Sequence, residues 1–395
     1  MTWFEGSTRR IALRLLLSLG TVLVLLIILE IGTRVFTDIQ PSLRIRDVAI
    51  GQKYRSNWTG EIDVTESRNR IPLRFHRDGF RGENRPYEKP PGTCRIAIIG
   101  DSQIAAIPTP EEETVVHQLE RVLQENHSEI TWEVFNFGVS AASTGQESVL
   151  YRKLVTKYDP DIVICAYYIG NDFSDNCSRL DSNPRIYMRL NDRGELEVEP
   201  YLAARKKLSV WLNTHSRFYV WQKHKFKHVT RNVADMGTFY EVRAGNLVFM
   251  NKDSEDLNYA WKLNEAIIDA FRNEVVGDGR QFLLVFIPTT EQLHEDTWDA
   301  FFARDESAQE FLERSYPNRR LSEIVARNEI DHLFLQDVLD KHIAGRPHDV
   351  PEAQVLYRGI GHLNPTGHLL SARMIYDYLL ENDTISRLVA HYESQ

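Results

Sequence analysis

Four short blocks follow one another along this 395-residue chain: Gly100-Asp101-Ser102, Asn136-Phe137-Gly138, Gly170-Asn171-Asp172 and His362-Leu363-Asn364-Pro365-Thr366-Gly367-His368. They hold a hydroxyl, glycine and amide hydrogen-bond donors, and an imidazole. A serine hydroxyl becomes a nucleophile when a neighbouring base takes its proton, and an imidazole suits that task near neutral pH. Fixed N–H donors stabilise the oxyanion formed on attack at an acyl carbon, by about 3 kcal/mol each. The set therefore points to acyl chemistry. Ser102 is the candidate nucleophile and His362 the candidate base. The Ser102 N–H, the Gly138 N–H and the Asn171 amide are candidate oxyanion donors, with Asp101 and Asp172 as supporting carboxylates. Each block also has a plainer use. A serine can cap the helix that follows it, a glycine can simply turn the chain, and Asn-Asp can form an Asx-turn. His368 already lies within a helical pattern, where it packs or caps.

The elements that must position these residues can be read from the hydrophobic pattern. Residues 95–99 form a short β-branched run ending in glycine and lead toward helical periodicity over 111–125, which places Ser102 in a strand-to-helix turn. Gly138 ends a strand over 131–137. Asn171 follows 161–168, a nearly continuous apolar run of the kind buried on both faces in a parallel sheet. His362 sits in a loop before Pro365, which opens a helix over 366–380. From Cys94 onward the pattern continues to alternate: a helix at 145–158, a helix at 257–275, a strand at 281–287, helical segments between 306 and 328, a strand at 332–335 and final helices. Such alternation predicts an α/β fold, a parallel sheet covered on both faces, with every block at one end of it.

Together these residues resemble the SGNH hydrolase family, the GDSL-type esterases and lipases, whose four letters map onto Ser102, Gly138, Asn171 and His362. The resemblance extends through Pro160-Asp161, Phe286-Ile287-Pro288-Thr289 and the His-Leu-Asn-Pro-x-Gly-His ending, over roughly residues 70–385. It is nearest to the bacterial branch with an N-terminal membrane anchor. It implies a three-layer α/β/α flavodoxin-like fold, Ser-His catalysis with a Gly/Asn oxyanion hole, and no cofactor or metal. The implied substrate is an O-acyl ester, such as an O-acetyl group of cell-envelope carbohydrate, cleaved by water or transferred to a sugar hydroxyl.

Two departures accompany the resemblance. The residue after the nucleophile is Gln103 where the family usually has leucine. The aspartate that orients the imidazole in the family, two or three residues before the histidine, is replaced by Ile360 and Gly359. Asp349 or Glu352, from the preceding loop, or a backbone carbonyl, is then left to take that role. Losing the acid costs several powers of ten in rate in a triad enzyme, so a catalytically silent envelope binding or assembly protein is the rival reading.

The N-terminus is a different kind of sequence. Arg9, Arg10 and Arg14 precede an uncharged apolar run over 15–29, and the apolar pattern continues to Phe36 with only Glu30 and Arg34 breaking it. This reads as a membrane anchor over 1–36, with a cleavable signal peptide as the alternative; the arginines keep the tip in the cytoplasm and the rest outside it. Residues 37–92 read as a linker and lead-in segment, and 93–395 as the hydrolase-like domain, with an insertion at about 174–256. In that insertion 186–199 reads as a β-hairpin around Asn191-Asp192-Arg193-Gly194. Residues 202–231 interleave Trp211, Phe218, Tyr219 and Trp221 with lysines and arginines, which suits a membrane surface, a lid, or an amphipathic helix packed on the domain. His224 and His228 stand four apart, without a third metal ligand in view. A net charge of -9 argues against nucleic acid as a partner, and three cysteines make no disulfide framework. The oligomeric state is not legible.

Overall fold

The computed structural model describes residues 2–37, 42–64, 69–181, 183, 185–199, 207–223, 225, 244–303, 309–344, 346, 354–357 and 361–394. Five apolar runs form its main sheet: β1 (Thr93–Gly100), β2 (Thr131–Gly138), β3 (Ile162–Tyr168), β4 (Gln281–Ile287) and β5 (His332–Phe334). Their spatial order is β2-β1-β3-β4-β5, and every pairing is parallel. This is the flavodoxin-like order, in which the chain reverses direction across the sheet between β1 and β3. In open sheets of this order the ligand crevice lies beyond the carboxyl ends of those two strands.

The pleat sends alternate side chains to opposite faces. Ile96, Ile98, Val134, Ile162, Ile164, Leu283 and Val285 enter a core closed by helices Val115–Asn126, Gln336–Ile343 and Pro365–Glu381. Ala97, Ile99, Phe135, Phe137, Val163, Cys165, Leu284 and Phe286 enter the other, closed by Thr144–Lys153, Glu255–Gly277 and Tyr316–Arg327. The three-layer α/β/α arrangement is thus present. The helix expected at 145–158 is two pieces, because Leu154 leaves helical geometry (φ -135°) and a 3-10 turn over Val155–Tyr158 follows. That turn buries both Val155 and Tyr158.

The lead-in segment packs on the sheet. Residues 46–92 belong to the same compact unit as the sheet. Strands Thr59–Val64 and Asn69–Arg74 pair antiparallel, and the turn Arg77-Asp78-Gly79-Phe80-Arg81 drives Phe80 against Phe137. Gly79 has φ +82°, and a Cβ on it would lie 2.2 Å from the Tyr54 carbonyl oxygen, so only glycine fits. Asp78 accepts from the hydroxyls of Tyr87 and Tyr158 at 2.9 and 2.6 Å. Arg95, fully buried on β1, ties the segment down by donating to the carbonyls of Pro86, Tyr87, Glu88 and Tyr158 while its Nε meets Glu133 at 2.7 Å.

A second compact unit comprises residues 1–45 and 203–240. Its helix Thr2–Phe36 includes Leu13–Phe36, long and apolar enough to cross a membrane, with mean hydropathy 2.6 and the side chains from Leu13 to Ile28 exposed. The insertion contributes the expected hairpin, Met188–Leu190 with Leu196–Val198, turning at Gly194 (φ +78°), and a helix over Lys207–His215. His224 and His228 lie outside the described residues, among which no cluster of His, Cys, Asp and Glu is arranged to hold a metal.

Arg95→Met is expected to lower the unfolding free energy by about 3–5 kcal/mol, since it leaves Glu133 without its buried cation and four carbonyls without a donor. Urea denaturation followed by intrinsic fluorescence measures it; a loss near zero would mean that the lead-in segment docks without this side chain.

Candidate active site

Ser102 emerges where β1 ends. Asp101 caps a four-residue helix, Ser102–Ala105, its Oδ1 accepting from the Gln103 N–H at 2.8 Å. This sharp turn leaves Ser102 half-buried at the crevice, while Asp101 and Gln103 on either side are buried. Gly138, at the end of β2, makes the turn possible. A Cβ there would fall 2.1 Å from the Ala105 nitrogen, so the absent side chain is the space that helix Ser102–Ala105 occupies. Arg81 closes the other end of that helix, donating to the carbonyls of Ala105, Ala106 and Thr109.

His362 arrives from the far end of the sequence. Its loop is held as a short antiparallel pair: Leu356 bridges Leu363, the Tyr357 N–H donates to the His362 carbonyl at 2.7 Å, and the Asn364 N–H donates to the Val355 carbonyl at 3.0 Å. Asn364 then caps helix Pro365–Glu381, accepting from the Gly367 N–H at 3.0 Å. The imidazole Nε2 lies 2.9 Å from the Ser102 Oγ. For Nε2 to accept that proton, the neutral ring carries its own on Nδ1. Asp349 and Glu352, the candidate orienting acids, lie outside the described residues, as do Gly359 and Ile360.

Gln103 joins the two halves. Its Nε2 donates to the Gly361 carbonyl at 3.0 Å and its Oε1 accepts from the Leu363 N–H at 2.9 Å, so one buried carboxamide grips the backbone on both sides of His362. A leucine at this position could form neither bond. In the sequence this position stands out only as a departure, an amide where the resembled family usually has leucine.

Two of the three candidate oxyanion donors, Gly138 and Asn171, already have acceptors. The Gly138 N–H donates to the Asn136 Oδ1 at 2.9 Å. The Asn171 amide nitrogen donates to Asp101 Oδ2 at 3.1 Å and to Asp175 Oδ2 at 3.2 Å. Asp175 in turn pairs with Arg185 at 2.5 Å, and Arg185 with Asp181 at 2.8 Å, so a buried ion-pair chain from the insertion ends on the Asn171 amide. Nothing in the sequence announced that chain.

Carboxyl groups crowd beneath the serine. Burial pushes Asp101 up, against the hydrogen bond from Gln103, the nearby His362 and the Asn171 amide. Glu147 is pushed well above the ordinary carboxylate range by burial and by Asp101; Asp172 by burial, Glu147, Asp101 and Asp175. Burial takes Asp175 up to about 7 against the pull of Arg185. Asp172 has a positioning role, accepting from the Tyr168 N–H at 2.7 Å. His368 is fully buried and held neutral, its pKa pushed down to about 3 by burial, so it packs as expected. Cys94, Cys165 and Cys177 are all buried and unpaired by disulfides.

Fold and site define a parallel α/β/α protein with a serine-histidine pair at its topological switch point. No family profile and no curated protein sequence matches the chain. Among solved structures it overlaps a two-domain esterase active on acetylated mannans (11% identity, 74% of this chain and 50% of the other, TM-score 0.37), so this chain spans half of that protein's length. It also overlaps a variant of an acetyl xylan esterase from Geobacillus stearothermophilus (13%, 72% and 94%, TM-score 0.38) and a lipase/acylhydrolase from Enterococcus faecalis (10%, 72% and 95%, TM-score 0.37). Overlaps this loose do not define the site, which is defined by its own hydrogen bonds.

Two substitutions probe this geometry. Gln103→Leu is expected to slow fluorophosphonate modification of Ser102 by about 100-fold through misplacement of the imidazole, with the fold retained by circular dichroism; an unchanged rate would show that the loop holds His362 unaided. For Glu147, the native chain keeps a proton that the unfolded chain loses above about pH 4.5, so this group's contribution to stability falls as pH rises. The stability of Glu147→Gln relative to wild type should therefore increase with pH, by no more than about 1.4 kcal/mol per unit, the slope for one proton. Urea titrations at several pH values read it, and a flat difference would mean that Glu147 is ionised in the native state.

Proposed function

We propose that this protein is a membrane-anchored serine ester hydrolase of the SGNH type, acting outside the cytoplasm on O-acyl groups of cell-envelope carbohydrate. The observation that carries the reading is the 2.9 Å approach of Ser102 Oγ and His362 Nε2, two residues 260 positions apart, at the crevice where an open α/β sheet binds its ligands. His362 takes the hydroxyl proton as Oγ bonds to the acyl carbon, and the carbonyl pair moves onto oxygen. The Ser102 N–H, the Gly138 N–H and the Asn171 amide hold that oxyanion, the last two exchanging the Asn136 and Asp175 oxygens for it. His362 returns its proton to the departing alcohol, and water then cleaves the acyl-serine by the same path in reverse. A sugar hydroxyl in place of water would make the same intermediate an acyl donor.

The substrate class follows from the family resemblance and from topology. Arg9, Arg10 and Arg14 on the N-terminal side of the apolar helix favour a cytoplasmic tip and an extracytoplasmic catalytic domain. A silent binding protein is the competing reading, favoured by the hold of Asp101 and Asp175 on the Asn171 amide.

With the full chain in detergent, a fluorophosphonate probe is expected to label wild type and not Ser102→Ala, and His362→Ala is expected to lower p-nitrophenyl acetate turnover by about 1,000-fold or more. Absence of labelling in folded wild type would establish the silent reading instead.

A further inference from the structure

The basic and aromatic stretch at 202–231 has no part in the chemistry above, yet its described residues are tied to a specific place on the apolar helix. Glu30, a charge inside that helix, accepts from the Ser216 hydroxyl at 2.8 Å and from the N–H groups of Arg217 and Phe218 at 3.0 Å each, while the Arg34 Nε donates to it at 2.7 Å. Arg34 also donates to the His215 carbonyl at 3.0 Å, and the Ser42 N–H to the Asn213 carbonyl at 3.1 Å. The last turns of the helix thus hold both the C-terminal end of helix Lys207–His215 and the start of the helical run after it.

That attachment sets a depth. From Leu13 to Leu29 the helix is apolar apart from Arg14, about 25 Å at 1.5 Å per residue, close to the roughly 30 Å of a bilayer's hydrocarbon. Glu30 and Arg34 therefore mark the level where lipid tails give way to head groups, and whatever hydrogen-bonds to them lies at that level. Leu208, Trp211 and His215, at i, i+3 and i+7, form one stripe on helix Lys207–His215 and are all exposed, Leu208 by 69% and Trp211 by 55%. Exposed Lys223 and Lys225 and half-buried Arg217 add positive charge nearby, suited to anionic lipid. An exposed Trp and Leu on a short helix flanked by cations is the composition of an element lying in a membrane interface.

We propose that helix Lys207–His215 is an interfacial helix whose Leu208 and Trp211 enter the outer leaflet of the same bilayer that the N-terminal helix spans, pinned there by Glu30. The proposal rests on the membrane-anchor reading, and the test separates the two. The full chain carrying Leu208→Cys, with the native cysteines buried, is labelled with an environment-sensitive fluorophore and reconstituted into phosphatidylcholine and phosphatidylglycerol vesicles. Val24→Cys serves as an anchor control. Lipids brominated near the glycerol end should quench the probe at 208 more than lipids brominated near the chain terminus, with the reverse order at 24. Adding Glu30→Ala should weaken quenching at 208 while leaving 24 unchanged; unaltered quenching at 208 would overturn the pinning. A water-exposed probe at 208 with a quenched probe at 24 would overturn the interfacial helix and leave the anchor standing. A shielded but unquenched probe at 208 would assign the face to a protein partner and equally overturn the proposal. An unquenched probe at 24 would remove the anchor itself.

Discussion

One carboxamide connects two distant parts of the chain, the Ser102 turn and the His362 loop. Gln103 sits in the first turn after Ser102, where its own backbone position is set by β1 and by the Asp101 cap, and it holds the carbonyl of Gly361 and the N–H of Leu363. A hydrogen bond of 2.9 Å between Ser102 and His362 tolerates little error, and the side chain of a loop histidine has several rotamers to choose from. Holding the backbone on both sides of His362 removes much of that freedom. The remaining features support the same turn: Gly138 leaves room for its helix, and Arg81 satisfies the carbonyls at its end.

Beneath the turn the protein tolerates an arrangement that stability alone would disfavour. Asp101, Glu147, Asp172 and Asp175 are all buried within electrostatic reach of one another, and Arg185 is bonded to Asp175 alone among them. Ionising them all would be prohibitive in a medium of low dielectric, so protons are retained and the cluster holds less charge than its composition suggests. Its geometric effect is on Asn171, whose amide is drawn toward Asp101 and Asp175. The insertion thereby reaches the crevice through Arg185, linking a segment of no evident chemistry to a candidate oxyanion donor. Perturbed carboxyl groups gathered in this way are more common at working sites than in structural cores.

The smaller unit shows a similar economy of charge. Glu30 would be costly within lipid, but Arg34 and the start of a helical run take up its oxygens, so a charge that interrupts the apolar pattern becomes the attachment point for a neighbouring segment.

How much could be read in advance depended on the range over which each interaction acts. Strand and helix positions were legible because burial on both faces writes near-continuous apolar runs, as in Ile162–Tyr168 and Gln281–Ile287, and amphipathic periodicity writes helices such as Val115–Asn126. The placement of Ser102, Gly138 and Asn171 at strand ends and of His362 just before helix Pro365–Glu381 was legible too, since turn residues mark each place locally. The docking of the lead-in segment was not legible because its packing partners, Phe137 and Tyr158, lie far along the chain. For the same reason no local pattern could show that Gln103 grips the His362 loop, that Arg185 reaches Asn171 through Asp175, or that Gly138 and Asn171 already have acceptors. Sequence by itself determined the residue types, their order and the alternation that builds a parallel sheet. Tertiary structure alone decided which of them touch, because hydrogen bonds between side chains hundreds of positions apart depend on strand order and loop path, and leave no periodic trace in the chain.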